Sequence, residues 1–200
     1  MTDIIPIFPT LLIRHNTKPE FDSIKKSFVE YTYHEMSEND GVMKSNKGGW
    51  QSEATIHKRN NFKRYVEFIL THSNRALGDI FKDNIKIELL NCWLNVNNKD
   101  CMNEWHCHPY SDIAGCLWID ITPGSGNLEF QNDLQYSQYM WHENVRPEIL
   151  MKYNFGGNYR INPIPGQMVL FPANTLHKVS TNTTDRSRIS FAFNLKIHMQ

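Results

Sequence analysis

The stretch that decides the fold is residues 85–97, which reads Ile-Lys-Ile-Glu-Leu-Leu-Asn-Cys-Trp-Leu-Asn-Val-Asn. Its second half alternates between an apolar set, Leu90, Cys92, Leu94 and Val96, and a second set, Asn91, Trp93, Asn95 and Asn97. A period of two is that of a β-strand, whose successive side chains point to opposite faces. The stretch therefore predicts a strand with one face on an apolar core and the other rich in amides.

More strands are predicted after this one, at residues 114–121, 127–131, 158–161, 167–171 and 188–197. Glycine and proline separate these segments, for example in residues 123–126 and 163–166. Many short strands joined by turns are typical of a β-sandwich or barrel.

Residues 1–82 are predicted to be mainly helical. Residues 17–20 have the form of a capping box with proline in the first turn, and the apolar residues after them keep helical spacing. A second helix is predicted over residues 62–81, where apolar side chains recur every three or four positions. We expect a single domain over residues 1–200, in which helices of region 1–82 cover one sheet of a β core formed by residues 83–200.

The composition excludes several classes of protein. The chain has 200 residues, of which 40% are hydrophobic and 12% aromatic, and its 21 basic and 21 acidic side chains balance. Disorder, collagen and coiled coils do not fit these values, and zero net charge disfavours a dedicated duplex-DNA binder while leaving a small nucleic-acid contact open. The apolar segment 4–13 contains two prolines and is too short to cross a membrane. The four cysteines show no disulfide framework, so we expect reduced thiols and a cytoplasmic location, the host cytoplasm if the protein is viral.

The first chemical signal is the sequence His106-Cys107-His108. In an extended segment residues two apart project to the same side, so both imidazoles can reach one ion. His177, after a predicted strand and turn, is the candidate third ligand. Three facial nitrogens leave positions open on an iron ion. Two alternatives stay open at this point, ordinary hydrogen-bonded histidines and a zinc site that would also use Cys101 and Cys107.

The second signal is Arg188-Ile189-Ser190, on the last predicted strand. Arg188 and Ser190 share a face, and a guanidinium with a hydroxyl inside an apolar barrel suits a buried carboxylate. The alternative is a surface ion pair of Arg188 with Asp185, although Arg186 suits that pairing better.

The third signal is the pair Asn95 and Asn97, on the amide face of the first strand. Their side chains can donate to the carboxylate and keto oxygens of a ligand. The alternative is that these asparagines simply end a strand.

These signals, in this order, resemble the iron(II)- and 2-oxoglutarate-dependent dioxygenases, and most closely the 2OG-Fe(II) oxygenase family common in phages and marine bacteria. Matching stretches run along nearly the whole chain: residues 45–52, 93–97, 106–109, 124–130, 165–172 and 188–195. The resemblance implies a mainly β fold, a double-stranded β-helix (a cupin-like jelly roll) with N-terminal helices packed on one sheet. It implies Fe(II), the cosubstrate 2-oxoglutarate and O2, with His106, His108 and His177 as catalytic metal ligands and Arg188, Ser190, Asn95 and Asn97 around the cosubstrate.

His108 departs from the carboxylate that the superfamily usually has as its second ligand. An imidazole leaves the metal with one more unit of positive charge, which should strengthen its hold on the cosubstrate. It also fills the space that halogenating relatives keep for chloride. Asp112 is an alternative third ligand, if the loop after Pro109 turns back towards the metal.

The function implied is oxidative decarboxylation of 2-oxoglutarate coupled to hydroxylation or oxidative demethylation of a second substrate. We expect a small molecule or a protein side chain as that substrate. Nucleic acid is not favoured as a partner, no membrane is expected, and a homodimer is one possible assembly. Rival hypotheses are a three-histidine cupin-type dioxygenase that does not use 2-oxoglutarate, and a non-catalytic binding barrel. Residues 132–148 are expected to form a loop or lid, in which His142 could contact substrate. The other five histidines are interpreted as surface residues: His15, His34, His57, His72 and His198.

Overall fold

The structure is a computed structural model, and it describes residues 4–7, 9–81, 85–132, 143–154 and 157–199. His142 and most of the expected loop at 132–148 lie outside these ranges. Eleven strands and three helices are seen in the described residues. The strands are β1 (Ile13–Asn16), β2 (Asn46–Lys47), β3 (Trp50–Gln51), β4 (Ile85–Asn97), β5 (Met102–His106), β6 (Ile113–Asp120), β7 (Leu128–Gln131), β8 (Asn158–Ile161), β9 (Gln167–Pro172), β10 (His177–Val179) and β11 (Arg188–Met199). The helices are α1 (Glu20–Glu38), α2 (Lys63–Gly78) and α3 (Pro147–Tyr153), and two 3-10 turns, Ile56–Lys58 and Asn60–Phe62, precede α2.

The strands form two antiparallel sheets. The six-stranded sheet has the order β1-β9-β6-β11-β4-β3, and the five-stranded sheet has the order β2-β5-β10-β7-β8. Neighbours in each sheet are mostly distant in sequence, which is the connectivity of a jelly roll, in which the chain passes back and forth between two sheets. The predicted double-stranded β-helix with N-terminal helices is therefore confirmed.

The longest strand pair of the six-stranded sheet is β4 with β11. Their register places Arg188 opposite Asn97, and Ser190 opposite Asn95. The predicted faces of both strands are confirmed in this region, because Cys92, Leu94, Phe191 and other apolar members join one buried core cluster. The prediction for Leu90 was wrong. The pairing of β4 with β11 has an irregularity at Leu90, and Leu89 packs towards the core in its place.

Helices α1 and α2 cover the outer face of the six-stranded sheet. Phe28 of α1 stacks on Tyr65 of α2 with ring centroids 4.0 Å apart, and Phe62 meets Phe191 of β11 edge to face at 5.4 Å. Phe28, Phe62 and Phe191 have no exposed surface, so each stabilises the fold by roughly 1.5–3 kcal/mol of hydrophobic burial. This face of α1 and α2 was predicted from helical spacing.

The start of α1 differs from the prediction. The helix begins at Glu20 without a side-chain cap, so the capping box does not form. The Thr17 hydroxyl instead donates to the Gly166 carbonyl oxygen at 2.7 Å. This bond ties the entry of the helix to the turn before β9, which a local sequence pattern cannot reveal.

A second apolar cluster lies between the two sheets. It contains Trp118 of β6, Phe130 of β7 and Phe171 of β9, all at most 6% exposed. The amide face of β4 and the Arg188 face of β11 look into the same interior, which is therefore apolar on one side and polar on the other. No helix in the described ranges is long and apolar enough to cross a membrane. All four cysteines are free thiols.

Candidate active site

Three histidines meet inside the barrel where β5 ends and β10 begins, two neighbouring strands of the five-stranded sheet. His106 ends β5 and lies opposite His177, the first residue of β10. His108 follows β5, where its backbone N–H donates to the Ala173 carbonyl oxygen at 2.8 Å. Each ring offers one nitrogen, and these nitrogens all lie within 4.8 Å of one another. The sequence-predicted triad is thus brought together.

A bulge in β5 sets the direction of His106. Between its two pairings with β10, β5 spans Asn103 to His106 while β10 spans only His177 to Val179. The extra residue lets Asn103 and His106 face the same side, which regular pleating over three residues would prevent. Neither β5 nor β10 was predicted as a strand, because both are short and have no clear alternation.

Backbone carbonyls fix the tautomers of two of the three rings. Nδ1 of His106 lies 2.6 Å from the Glu104 carbonyl oxygen, and Nδ1 of His177 lies 2.8 Å from the Thr175 carbonyl oxygen. Since a carbonyl only accepts, Nδ1 carries the proton in both rings and Nε2 keeps its lone pair. A second hydrogen bond of this kind is the usual way in which proteins orient metal-ligating imidazoles.

The electrostatics favour neutral rings. Burial lowers the pKa of His106 below its ordinary value. Burial, followed by the proximity of His106, lowers the pKa of His108 to about 4 and that of His177 to about 3. All three rings are therefore neutral at pH 7, which is the form that binds a metal ion.

The spacing of the nitrogens fits a cation. Nε2 of His108 and Nε2 of His177 are 3.1 Å apart. Two nitrogens bound at about 2.1 Å to one ion, at right angles, are separated by about 3 Å. Imidazole suits iron among the divalent metals, and three protein ligands leave coordination positions for other molecules. The residues present therefore fit an iron ion.

Arg188 lies deeper in the same interior. Its side chain is only 2% exposed, and its Nη1 donates to the carbonyl oxygens of Ser125 at 2.6 Å and of Ser180 at 3.3 Å. Within the described ranges no carboxylate forms an ion pair with it. Burial lowers the pKa of Arg188 to about 10, yet it stays charged at pH 7. A buried cation held only by carbonyl oxygens is suited to an anionic ligand.

The surface ion pair considered for Arg188 does not form. Asp185 binds Lys99 at 2.8 Å instead. Arg186, which the sequence suggested for Asp185, is 4.0 Å from Asp120. The salt-bridge interpretations of this turn were therefore wrong, and Arg188 faces the interior.

The other predicted cosubstrate residues line the same wall. Asn95 is 6% exposed, and its Oδ1 is buried without a hydrogen-bond partner among the described residues. Ser190, opposite Asn95, is 9% exposed. The Asn97 amide donates to Oδ1 of Asn103 at 3.4 Å, so it already has a protein partner. Asn95 and Ser190 are thus the freer of the predicted polar contacts.

Sequence reasoning missed several residues around Arg188. Gly126 has a φ of +97°, and a Cβ there would come within 2.6 Å of Nη1 of Arg188. Ser125 has a buried hydroxyl oxygen that meets no partner in the described part of the chain. Cys116 lies beside Ser190 and Arg188, and burial raises the pKa of its thiol to about 12. The glycine pair around Ser125 was the available signal, because glycine often marks a close backbone approach.

The carboxylate of Asp112 contacts β11 and not the histidine cluster. Its Oδ1 lies 3.0 Å from the Lys196 ammonium, and its Oδ2 accepts from the Ile197 backbone N–H at 2.8 Å. The backbone hydrogen bond, with the Lys196 contact, lowers the pKa of this carboxyl. The metal-ligand cluster formed by the described residues contains neither Asp112 nor a cysteine, and Cys107 is exposed.

One of the remaining histidines contradicts its sequence interpretation. His72 was expected on the surface but is 3% exposed. Its ring packs against Phe68 in a tilted arrangement, with centroids 4.4 Å apart, and its Nδ1 lies 3.0 Å from Nε2 of His15. The reason is its place on α2, on the flank that packs against β1.

A family model described as "Putative 2OG-Fe(II) oxygenase" matches residues 91–194, just over half of the chain. This range contains all the histidines of the cluster and Arg188. A search of curated protein sequences finds no match.

Solved structures share the fold. A prolyl-4-hydroxylase from Pseudomonas putida is 13% identical, with a TM-score of 0.58 over 94% of this chain and 93% of that one. The non-haem α-ketoglutarate-dependent epimerase SnoN from nogalamycin biosynthesis is 10% identical, with a TM-score of 0.66 over 96% and 79% of the two chains. HygX from Streptomyces hygroscopicus, solved with nickel and 2-oxoglutarate bound, is 12% identical, with a TM-score of 0.62 over 94% and 83%. Identities this low establish likeness of fold alone.

Proposed function

The chain belongs to the 2OG-Fe(II) oxygenase family, and from this premise we propose which of its residues carry the reaction and what kind of substrate it oxidises. The enzyme uses Fe(II), 2-oxoglutarate and O2. The observation that carries the assignment of residues is the placement of the buried Arg188, which pairs with no carboxylate among the described residues, in the same interior as the neutral three-histidine cluster.

His106, His108 and His177 are the residues that would hold iron. Bound there, iron supplies the activation of O2 that decarboxylates 2-oxoglutarate and oxidises a C–H bond. The protein keeps the three rings neutral by burial and orients two of them through Nδ1.

Arg188 would bind the distal carboxylate of 2-oxoglutarate. The paired strands support this assignment, because Ala192 lies opposite Trp93, whose ring contacts His108. Arg188 is four residues from Ala192, or about 13 Å along the strand. An arginine side chain and a five-carbon diacid can together span that distance.

Ser190 and Asn95 complete the binding of the cosubstrate. The Ser190 hydroxyl can donate to the same carboxylate as Arg188, while Asn95 offers its amide to oxygens nearer the metal. Asn97 acts mainly on Asn103, so its contribution is to hold the wall of the pocket.

Charge balance supports a dianionic cosubstrate. Three neutral imidazoles leave the two positive charges of Fe(II) uncompensated, and Arg188 adds another. No carboxylate belongs to the cluster of metal ligands that the described residues form. A dianion neutralises most of this charge, whereas the three-histidine cupin-type alternative leaves Arg188 without a role.

We assign the second substrate to small molecules or protein side chains, and the reaction to hydroxylation or oxidative demethylation. The chain acts as one oxygenase domain, with region 1–82 supporting the β core.

The test is release of succinate from labelled 2-oxoglutarate by protein reconstituted anaerobically with Fe(II) and then exposed to O2. We expect slow succinate formation even without a second substrate, and none from His106→Ala. Oxygen uptake without succinate would instead indicate the cupin-type chemistry. Tight iron binding with neither reaction, in the presence of diverse candidate substrates, would contradict catalysis at this site.

A further inference from the structure

The three histidines are not oriented in the same way. His106 and His177 each donate an Nδ1–H to a backbone carbonyl. In the part of the chain that the structure describes, Nδ1 of His108 has no such partner, and the ring nitrogen contact of His108 is the one between its Nε2 and His177. No hydrogen bond at Nδ1 among the described residues therefore fixes the plane of this ring, which instead lies against the rings of His177 and Trp93.

The neighbour that meets the His108 ring from the opposite sheet is Trp93. The indole and imidazole rings lie within 20° of parallel, with centroids 5.5 Å apart. This is an offset stack, the arrangement that aromatic pairs favour. Trp93 reaches His108 because it occupies the interior face of β4, between Asn91 and Asn95.

The stack with Trp93 restricts the χ2 torsion of His108, which sets the direction of the coordinating nitrogen. The χ2 torsion of histidine is broad and roughly two-fold, so the side-chain rotamer alone does not fix the ring plane. A carboxylate in this position needs no such control, since either of its oxygens can bind the metal. An imidazole has one free nitrogen, and a rotated ring points it away from the ion.

We propose that Trp93 is the positioning residue for the metal ligand His108: its indole holds the imidazole in the plane that directs Nε2 towards the shared ion. Trp93 touches the ligand and not the metal. The inference rests on the proposed function, because it takes His108 to be a ligand. It also explains how this chain uses histidine in place of the carboxylate usual in the superfamily.

The experiment measures the affinity for Co²⁺, followed by its visible absorption, in the wild type, Trp93→Phe and Trp93→Leu. Co²⁺ is a suitable probe because it accepts imidazole ligands and does not need anaerobic handling in this assay. We expect Trp93→Leu to weaken Co²⁺ binding by about tenfold, the lower end of the effect of residues that support metal ligands. Trp93→Phe retains an aromatic face and should stay within about threefold of the wild type.

Two controls separate positioning from general packing. Trp50→Leu removes a half-buried tryptophan from β3, the strand next to β4, and should lower thermal stability without changing Co²⁺ affinity. His108→Asp replaces the ring by a carboxylate that cannot stack. In that background Trp93→Leu should cost less than about twofold, since the orientation it supplied is no longer needed.

The outcomes distinguish this inference from the assignment of the site. Failure of the wild type to bind Co²⁺ through its histidines would overturn the proposed metal centre itself. Normal binding by the wild type with equal affinity in Trp93→Leu would overturn the role of Trp93 alone. An equal loss from Trp93→Leu in the wild-type and His108→Asp backgrounds would show that Trp93 acts through general packing and would also overturn it.

Discussion

Replacing Arg188 by glutamine separates cosubstrate binding from protein stability. The substitution removes the buried charge but keeps a polar side chain. We expect the affinity for 2-oxoglutarate to fall steeply while metal binding by the histidine cluster and the stability of the ligand-free protein change little.

The magnitudes follow from the surroundings of the guanidinium. Burial lowers the pKa of Arg188 from an ordinary 12.5 to about 10, which means that the cation is disfavoured by about 3 kcal/mol. Its two hydrogen bonds to the carbonyls of Ser125 and Ser180 stabilise the fold by about 1.5 kcal/mol each, the lower end for a bond to a charged group, and so together by about as much as this penalty. Losing both effects together leaves the ligand-free protein nearly as stable as before. A buried charge-assisted contact to the cosubstrate carboxylate is different, because its loss costs about 2–5 kcal/mol, or at least about 30-fold in affinity.

The assay is calorimetric titration of 2-oxoglutarate into the Ni²⁺-loaded protein, together with thermal unfolding with and without the cosubstrate. Arg186→Gln is the matched control, since this exposed arginine lies two residues away and its guanidinium contacts the rim carboxylate of Asp120 at 4.0 Å. The wild type and Arg186→Gln should bind 2-oxoglutarate equally, and the cosubstrate should raise the unfolding temperature of both. Unchanged affinity in Arg188→Gln, or a large loss of ligand-free stability with no loss of affinity, would refute the reasoning.

Three further predictions follow from the site. Burial lowers the pKa of His108 to about 4 and that of His177 to about 3, below the unfolded value near 6.5. The stability that these neutral rings contribute is therefore complete above about pH 6.5 and is lost as the pH falls towards 3. Urea unfolding of the metal-free protein from pH 8 to pH 4 measures this loss, and a free energy of unfolding that does not change with pH would contradict it. Asp112→Asn should lower the free energy of unfolding by about 1 kcal/mol, because the carboxylate binds Lys196 and a backbone N–H. The affinity of the variant for Co²⁺ should stay within about twofold of the wild type, and a loss of about a hundredfold would instead identify Asp112 as a ligand. Gly126→Ala should destabilise the protein by about 2 kcal/mol or more, because alanine is strained at a φ of +97° and its Cβ would clash with Arg188. Equilibrium unfolding of the variant measures this loss, and a stability equal to that of the wild type would show that the turn can relax.

The local sequence patterns of β4 and β11 were sufficient to predict much of the β-sheet fold. Both strands are long and bury one face, so their apolar residues alternate with a period of two. The buried faces of α1 and α2 are likewise predicted by apolar residues at helical spacing. The predicted orientation of Leu90 was wrong, because an irregularity in the pairing of β4 with β11 changes which face each side chain occupies. The hydrophobic pattern of the sequence does not reveal such an irregularity. Strands β5 and β10, which contribute His106 and His177, were not predicted, because their short sequences show no clear alternation of apolar and polar residues.

The site was predictable in its residue types and not in its geometry. The spacing of His106 and His108 and the placement of Arg188 on a strand face are local facts. The stacking of Trp93 on His108 and the approach of Gly126 to Arg188 join segments that are distant in the chain. The burial of His72 likewise depends on the docking of α2 against β1.

The sequence by itself therefore determined the β-sheet core with its helical cover, the three imidazoles and the arginine, because short-range periodicity and residue chemistry are properties of the chain. Only the tertiary structure decided that Asp112 turns away to Lys196, that Arg188 is buried without a carboxylate among the described residues, and which nitrogen of His106 and His177 is free. Each of these depends on which strands lie side by side in the two sheets. That pairing sets desolvation and hydrogen-bond partners, and these in turn set charge and orientation in the site.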